Sequence, residues 1–412
     1  MNLKAYPDKW PILCLNIGSS SVKFALLLLG SGEEVRLAEG AVERIGLPGG
    51  HLWVRDMKKE AREETLRDFP EHKTAIRELF TVLDRPDFPK PVAVGHRVAH
   101  GGPHYAAPAI VDPQLLTILR ELVPFAPLHL PSEILGIEAV ADRFPGLPQV
   151  ACFDTAFHRR MPEIAQRLPL PREFWNEGLR RYGFHGLSYE YILDALGAAA
   201  QGRTVIAHLG NGCSMAAVQG GRPLDTTMGF TPTGGFMMGT RTGDLDPGIL
   251  LYLMNEKGYD SARIEHLVNY KAGLLGVSEI SPDMKTLLDK RESEPHAAQA
   301  VEMFCYQVRK HIGSLTAALG GIDTLVFTGG IGERAAPVRR RACQGLEHLG
   351  IYLDQEQNAL HADIISAPRS RCTVRIIKTN EDSIIARHTR KLIVDMKQED
   401  EAKHILSGFT PG

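Results

Sequence analysis

Short apolar runs alternate with amphipathic stretches along the chain, a pattern that predicts an α/β protein. Residues 10–29 form two apolar runs around a tight turn that begins at Gly18, which predicts a β-hairpin. The other elements predicted in this half are strands over residues 35–45, 91–102 and 147–158, and helices over residues 113–123 and from Pro131 onward.

The second half of the chain is organised around a glycine-rich segment, residues 204–247. Two apolar runs joined by Gly210, Asn211 and Gly212 predict a second hairpin within it. Residues 49–73 and 273–285 have no clear period and are predicted to be surface loops. The remaining predicted elements are helices over residues 188–199, 247–270, 295–320, 337–349 and 383–394, the last capped by Thr379, and strands over residues 324–330 and 373–378.

Composition narrows the class of protein. The chain has 412 residues, 43% of them hydrophobic and 23% charged, which predicts a globular protein of two domains. The net charge of −2 gives no electrostatic attraction for nucleic acid or an anionic membrane, so a small-molecule substrate is expected. Residues 24–29 are far shorter than the ~20 residues that span a bilayer. The six cysteines show no Cys-x-x-Cys spacing, and we expect buried, reduced thiols in a cytoplasmic protein.

The N-terminal hairpin carries the first candidate chemistry. Ser19, Ser21 and Lys23 lie where hydroxyls, turn amides and one cation can surround phosphate oxygens. Asn16, near the end of the first strand, is placed to orient a magnesium-bound water. A plain polar turn is the alternative, because serine-rich turns are common.

Two later apolar runs each carry one charged residue. Arg97 lies within residues 91–102, where its guanidinium needs a carboxylate or phosphate partner. Asp154 follows the apolar part of residues 147–158, the end of a strand at which α/β proteins place ligands. The alternatives are a structural buried ion pair for Arg97 and a helix cap for Asp154.

The glycine-rich segment combines exposed turn amides with both signs of charge. Arg241 and several aspartates accompany its glycine turns, a combination suited to an anionic, metal-bound ligand. His185, on a preceding turn flanked by glycines, either faces that ligand or is simply solvated.

The stretch after residue 324 has two interpretations. A strand, a glycine turn and a helix in succession suit nucleotide phosphates. Gly330, Gly332 and Ala335 also fit a dinucleotide fingerprint with Asp354 about 20 residues further on, which keeps a dinucleotide-dependent oxidoreductase open. Glu381 serves either a helix dipole or a metal ion.

Eight segments, taken in order, resemble the motifs of the acetate kinase family between residues 11 and 392. They are LNIGSSSVKF, GHRVAHGG, CFDTAFH, RRYGFHGLSYEY, AHLGNGCSMAAVQGGRPLDTTMGFTPTGG, MMGTRTGDLDP, FTGGIGER and KTNED. The resemblance implies an α/β fold with two related domains of the actin, sugar kinase and heat-shock ATPase type around a central nucleotide cleft. It also implies a homodimer. The domains expected are residues 1–155, completed by a helix over 383–398, and residues 156–382, followed by a tail over 399–412.

The resemblance implies reversible, magnesium-dependent (or manganese-dependent) transfer of the ATP γ-phosphoryl group to acetate by direct in-line displacement. The implied catalytic residues are Asp154, Arg97, Arg241 and His185, of which His185 and Arg241 stabilise the transition state. The implied acetate site comprises Arg97, Ala99, Leu128 and Pro232. The implied nucleotide and phosphate site comprises Lys23, Ser19, Ser21, His208, Asn211, Gly212, Asp283, Met284, Lys285, Gly330 and Arg334. The implied metal site comprises Asn16 and Glu381 beside Asp154, and His129 matches a further active-site histidine.

The sequence departs from the family motifs at five positions. Ala99 replaces a valine beside the acetate methyl group, which predicts that propionate is accepted. Arg334 replaces an asparagine on the adenosine side and keeps a pyrophosphate-dependent enzyme open. Leu130, Leu187 and Tyr189 replace an asparagine, a threonine and a histidine. A propionate kinase and a non-catalytic nucleotide-binding protein of the same fold are the remaining alternatives.

Overall fold

A computed structural model describes residues 9–407, with side chains up to residue 398. The chain divides into two compact units. The first unit ends at Ala156 and resumes at Asn380, and the second comprises Phe157–Thr379. The return of the chain to the first unit therefore begins three residues before the predicted position 383.

The first unit is built on a mixed sheet. Within its described residues eight strands pair in the order β5-β4-β3-β2-β1-β6-β8-β7. The N-terminal hairpin is antiparallel, whereas β6 runs parallel to both β1 and β8. The strands are β1 (Trp10–Gly18), β2 (Ser21–Leu29), β3 (Glu34–Glu43), β4 (His51–Asp56), β5 (Ala61–Leu66), β6 (Ala93–Val98), β7 (Ala109–Ile110) and β8 (Gln149–Phe153).

Helices cover this sheet and close its hydrophobic core. They are α1 (His72–Leu83), α2 (Pro113–Glu121), α3 (Leu130–Arg143) and α15 (Glu381–Ser407). Gly95 in β6 lets α15 come close, since a Cβ there would lie 2.4 Å from Thr389 Oγ1 and 2.5 Å from Ile385 Cγ2. The carboxyl end of β6 and the start of α15 are thereby brought together.

The second unit has a five-stranded sheet among its described residues, in the order β11-β10-β9-β12-β13. Its strands are β9 (Arg203–Leu209), β10 (Cys213–Gln219), β11 (Arg222–Thr226), β12 (Thr324–Thr328) and β13 (Thr373–Ile376). Its helices are α4 (Glu163–Gln166), α5 (Arg172–Asn176), α6 (Gly186–Leu196), α7 (Pro247–Lys257), α8 (Ser261–His266), α9 (Gly273–Ser278), α10 (Met284–Lys290), α11 (Pro295–Leu319), α12 (Gly329–Arg334), α13 (Ala336–Cys343) and α14 (Gln355–Ala359). The apolar face of α11 packs into the core against this sheet.

Several predicted elements differ in the structure. The expected surface loop at residues 49–73 contains β4 and β5, which extend the first sheet. The expected loop at 273–285 begins with α9 and ends in the first turn of α10. The last helix begins at Glu381 and continues through most of the expected tail, of which residues 408–412 lie outside the described part. Asn380 Oδ1 accepts the N–H of Ser383, so Asn380 caps this helix in place of Thr379.

The cysteines and the helices bear on two further expectations. All six cysteines are buried free thiols, as the sequence predicts. Among the described residues, every helix is too short or too polar to cross a membrane.

Candidate functional site

In the first unit, three predicted site residues meet around the guanidinium of a fourth, Arg97, near the end of β6. Its Nε and Nη2 donate to the two carboxylate oxygens of Asp154 at 3.2 and 2.5 Å. Its Nη1 donates to Asn16 Oδ1 at 3.3 Å, and its Nε lies 3.8 Å from Glu381 Oε2. Two carboxylates and one amide oxygen therefore converge on one point. The sequence left open a structural ion pair for Arg97, and the structure contains that pair with Asp154.

Burial and charge oppose each other in this cluster. Burial by itself would lower the pKa of Arg97, but the carboxylates of Asp154, Glu381 and Glu133 raise it above its ordinary value. Burial raises the pKa of Glu381, an effect that Arg97 and Lys23 reduce. A dication or a second cation near Glu381 would favour its charged form.

The turn of the N-terminal hairpin places its polar residues side by side. Asn16 faces Lys23 across the strand pair, and Gly18 faces Ser21. Ser19 and Lys23 are exposed, and Ser21 is half-buried. The ring Nε2 of His72 lies 2.7 Å from the carbonyl oxygen of Gly18 and ties the turn to α1.

A buried carboxyl that the sequence pattern does not single out lies beside Ala99. Ala99 is 1% exposed, and its N–H donates to Glu133 Oε2 at 3.0 Å. Glu133 Oε1 is buried without a hydrogen-bond partner. Burial raises the pKa of Glu133 to about 8, although Arg97 and the Ala99 N–H lower it. An acidic residue on the apolar side of a predicted helix was the only sequence signal. Leu128 and His129, just before α3, are half-buried.

In the second unit, His185 occupies a tight turn before α6. Its φ of 59° lies in the left-handed region, which is uncommon outside glycine and clusters at functional sites. The preceding Gly183 is also left-handed, and a Cβ there would lie 2.6 Å from the ring of His158. The ring Nε2 of His158 lies 3.0 Å from the carbonyl oxygen of Phe184, which anchors the turn from beneath.

Two histidines stack in this unit, and hydroxyl groups hold both. The rings of His185 and His208 are 4.3 Å apart and 15° from parallel. His185 Nδ1 lies 2.8 Å from Ser214 Oγ, and His208 Nδ1 lies 2.9 Å from Ser188 Oγ. Ser188 also contacts the hydroxyl of Thr379 at 2.8 Å. Nothing in the sequence predicts that the hydroxyl groups of Ser188, Ser214 and Thr379 position these histidines.

Arg241 lies beside His185 near the turn of the second hairpin. A Cβ placed on Gly212 would be 3.4 Å from His185 Nε2 and 3.5 Å from Arg241 Nη1, so both groups lie next to the backbone of Gly212. Arg241 Nη1 donates to the carbonyl oxygen of Pro232 at 3.1 Å. Asn211 contributes its carbonyl oxygen to the N–H of Gly239. The structure thus brings together five of the predicted residues: His185, His208, Gly212, Pro232 and Arg241.

Side-chain hydrogen bonds hold the connection between β12 and α12 in place. Glu333 Oε1 accepts the N–H groups of Gly329 and Thr379 at 3.0 and 3.2 Å. The buried Arg339, also missed from the sequence, donates to the carbonyl oxygens of Gly332 and Glu333. Gly330 is exposed and a Cβ there would meet no protein atom, so protein packing does not require its glycine. Arg334 is exposed at the end of α12.

Two of the candidate carboxylates, Asp283 and Asp354, cap helices. Asp283 caps α10 by accepting the N–H of Thr286 at 2.9 Å, which lowers its pKa. Met284 is 2% exposed within the core, and Lys285 is exposed. Asp354 caps α14 through the N–H groups of Glu356 and Gln357. Asp354 follows an isolated bridge residue, Leu353, and no strand, so its position does not match the dinucleotide fingerprint.

The family and structural matches assign the chain to a class of protein, the α/β phosphotransferases of the actin and sugar kinase fold with a carboxyl group as acceptor. The sequence profile of the acetokinase family matches residues 11–387. The chain belongs to the acetokinase family.

Individual relatives cover nearly the whole chain. An acetate kinase of Rhodopseudomonas palustris is 47% identical over 393 residues, which are 92% of this chain and 98% of that protein. The crystal structure of Porphyromonas gingivalis acetate kinase matches with a TM-score of 0.83 and 38% identity, over 93% of this chain and 100% of the other. A propionate kinase from Francisella tularensis matches with a TM-score of 0.87 and 34% identity, over 93% and 99%.

Proposed function

We propose that this protein is an acetate kinase, which transfers the γ-phosphoryl group of ATP to acetate and forms acetyl phosphate and ADP reversibly. The single observation that carries the proposal is the cluster of Arg97, Asp154, Glu381 and Asn16 around one guanidinium, within a chain of the acetokinase family. Arg97 orients the acetate carboxylate with its planar fork of donors.

The acceptor is already an anion at neutral pH, so the reaction needs no general base. The obstacle is repulsion between the carboxylate and the nucleotide phosphates. Arg241, Lys23 and the Nε2 of His185 offset the charge on the phosphoryl oxygens, while Ser19, Ser21 and Asn211 hold the phosphates in line. Asp154 binds through its charge and takes no proton.

A magnesium ion fits the residues of the first unit. Asp154, Glu381 and Asn16 offer the oxygen donors that Mg²⁺ prefers, and Arg97 Nε lies within 3.8 Å of both carboxylates. Among the described residues, no group of three or more His, Cys, Asp or Glu side chains is placed to hold a metal ion. In this proposal, water and phosphate oxygens complete the coordination of the ion. When bound, Mg²⁺ would neutralise phosphate charge and polarise the phosphoryl group.

The acyl pocket admits propionate as well as acetate in this proposal. Ala99 is a small, buried residue at the carboxyl end of β6, close in sequence to Arg97. A methylene of pocket wall changes discrimination by only about 1–3 kcal/mol, so acetate and propionate should differ modestly. The relatives include both an acetate kinase and a propionate kinase.

The nucleotide lies over Gly330 in this proposal, with Arg334 beside the adenine. The free space above Gly330 supports close approach of a ligand, and an exposed guanidinium can stack on a planar base. The start of α10 borders the same adenosine site in this proposal, with Lys285 exposed there while Asp283 caps the helix and Met284 packs beneath it. The buried free thiols suit a cytoplasmic enzyme.

A second copy of the chain covers α7 in this proposal. No residue of α7 is buried, even though the helix is rich in apolar residues. Four of these side chains are between 45% and 59% exposed: Ile249, Leu251, Tyr252 and Met254. A helix that is apolar on several sides needs a partner to exclude water. The same surface on two copies would form a self-complementary homodimer.

Trapping of acyl phosphate with hydroxylamine tests the function. Wild type with ATP and magnesium should yield hydroxamate from acetate and from propionate, and Arg241→Ala should lower kcat on the order of 10²–10³-fold. Arg55→Ala removes an exposed guanidinium from β4 and should leave the rate unchanged. If pyrophosphate supports the reaction and ATP does not, the proposal that ATP is the phosphoryl donor is wrong. If neither supports phosphorylation, the chain is a non-catalytic nucleotide-binding protein.

A further inference from the structure

Tyr189 belongs to a continuous chain of hydrogen bonds that ends on His185. Tyr189 lies in α6, four residues after His185, and is 0% exposed. Its hydroxyl oxygen is 2.5 Å from Ser214 Oγ, and Ser214 Oγ is 2.8 Å from His185 Nδ1. Ser214 therefore has one hydroxyl proton to share between two neighbours.

The relative acidity of the two hydroxyl groups determines which of them donates in the hydrogen bond between Tyr189 and Ser214. A phenol is a stronger acid than an alkyl alcohol, so Tyr189 donates and Ser214 accepts. The proton of Ser214 is then free to point at His185 Nδ1. A neutral imidazole that accepts at Nδ1 carries its proton on Nε2.

The Nε2 of His185 is the ring nitrogen that lies closer to Gly212, at the turn of the second hairpin. A Cβ on Gly212 would be 3.4 Å from it and 3.5 Å from Arg241 Nη1, so both donors border the space above Gly212. The rings of His185 and His208 stack with centroids 4.3 Å apart, so charge repulsion disfavours the state in which both are imidazolium.

We propose that Tyr189, acting through Ser214, fixes His185 in the tautomer whose Nε2–H donates a hydrogen bond to the transferring phosphoryl group. Tyr189 is thus a positioning residue, and this role rests on the proposed phosphotransfer. Tyr189 stands where the family motif has a histidine. A tyrosine hydroxyl stays protonated near neutral pH whereas an imidazole titrates there, so the donor at this position keeps its proton.

Removal of one hydroxyl tests the role in catalysis. Tyr189→Phe keeps the buried ring, and Tyr182→Phe is the matched control, because the equally buried hydroxyl of Tyr182 donates to the carbonyl oxygen of Gly178 at 2.7 Å. Tyr189→Phe should lower kcat about 10-fold with KM for acetate and for ATP within about 2-fold of wild type. Tyr182→Phe should leave kcat unchanged. Equal losses in the two variants would overturn the proposal.

The tautomer itself is measurable without any substrate. Histidine ¹⁵N NMR of the full-length protein distinguishes protonated from unprotonated ring nitrogens, and His185→Gln identifies the His185 signals by their loss. Wild type should show Nε2 protonated and Nδ1 unprotonated, and Tyr189→Phe and Ser214→Ala should show a mixture. A wild-type Nδ1–H form, or signals unchanged in Tyr189→Phe, would overturn the proposal.

The double variant tests whether the residues act in series. If Tyr189 acts only through Ser214, Tyr189→Phe combined with Ser214→Ala should lower kcat no further than Ser214→Ala alone. Independent, additive losses would contradict the chain of hydrogen bonds. Absence of phosphotransfer in wild type would overturn the function, whereas the NMR result would still decide which nitrogen the two hydroxyls select.

Discussion

Single buried polar residues set the geometry of both polar clusters. Arg97 aligns the carboxylates of the first unit, and Ser214 and Ser188 orient the stacked histidines of the second. Because a buried polar group costs free energy when it loses its partner, each of these side chains is constrained by its neighbour. The same argument applies to Glu133 and His158, which lie behind the predicted site residues.

Replacement of Glu133 separates its hydrogen bond from its charge. Glu133→Gln can still accept the N–H of Ala99, so stability should stay close to that of wild type. Glu133→Ala leaves this buried N–H unpaired and opens a cavity, which should cost at least ~1–3 kcal/mol and raise the KM for acetate. Urea unfolding and acetate titration would measure both effects. Equal stability of the alanine and glutamine variants would show that the N–H has another partner.

His158 should make stability depend on acid pH. Burial lowers the pKa of His158 from its ordinary 6.5 to about 4, and its Nδ1 is buried without a hydrogen-bond partner. The unfolded chain therefore binds more protons between these values, so stability is complete above about pH 6.5 and falls as the pH drops toward 4. At about 1.4 kcal/mol per pKa unit, the loss should reach ~3 kcal/mol.

The variant His158→Gln isolates this contribution. Glutamine does not titrate and can still donate to the carbonyl oxygen of Phe184. Urea unfolding at a series of pH values should show a shallower acid slope than wild type, although His96, whose pKa burial also lowers to about 4, still contributes. An unchanged slope in His158→Gln would assign the acid sensitivity to other groups.

At the scale of elements, close contacts between neighbouring strands, turns and helices position the site residues. β6 delivers Arg97 to the start of α15, and the approach of α15 depends on the missing side chain at Gly95. In the second unit, the left-handed turn before α6 aims His185 toward the turn between β9 and β10. Neither contact follows from helix or strand propensity.

Two glycine substitutions should have opposite effects on stability. Gly95→Ala introduces a methyl group 2.4 Å from Thr389 Oγ1, which should cost roughly 1–3 kcal/mol and weaken magnesium-dependent activity through Glu381. Gly313→Ala lies within α11, where a Cβ meets no atom, and should stabilise by up to about 1 kcal/mol. Thermal unfolding of both variants measures this. A neutral Gly95→Ala would mean that α15 shifts freely.

At the scale of the whole molecule, the exposed apolar residues of α7 predict association. Light scattering should give wild type twice the chain mass. Leu251→Glu places a charge on α7 and should yield the monomer, whereas Ile164→Glu, at an 84% exposed position outside α7, should leave the mass unchanged. A monomeric wild type, or a dimeric Leu251→Glu, would exclude this surface as the interface.

The sequence by itself determined the fold class, both central hairpins and the family. Glycine turns between apolar runs specify hairpins locally, and eight ordered motifs over residues 11–392 identify the family without coordinates. The sequence also nominated Arg97 and Asp154, because charged residues inside apolar segments or at strand ends are uncommon. Glu381 was nominated only through the resemblance of KTNED to the family motif.

Only the tertiary structure decided the partners of those residues. Glu133 reaches Ala99, Tyr189 reaches Ser214, and Thr379 reaches Ser188 across 34, 25 and 191 positions of sequence. Residues 49–73 contain two strands, which are stabilised by hydrogen bonds to the edge of the first sheet. Their charged sequence does not predict this pairing. Hydrophobic periodicity records which face of an element is buried, whereas the partner of a buried polar group is set by packing between distant segments.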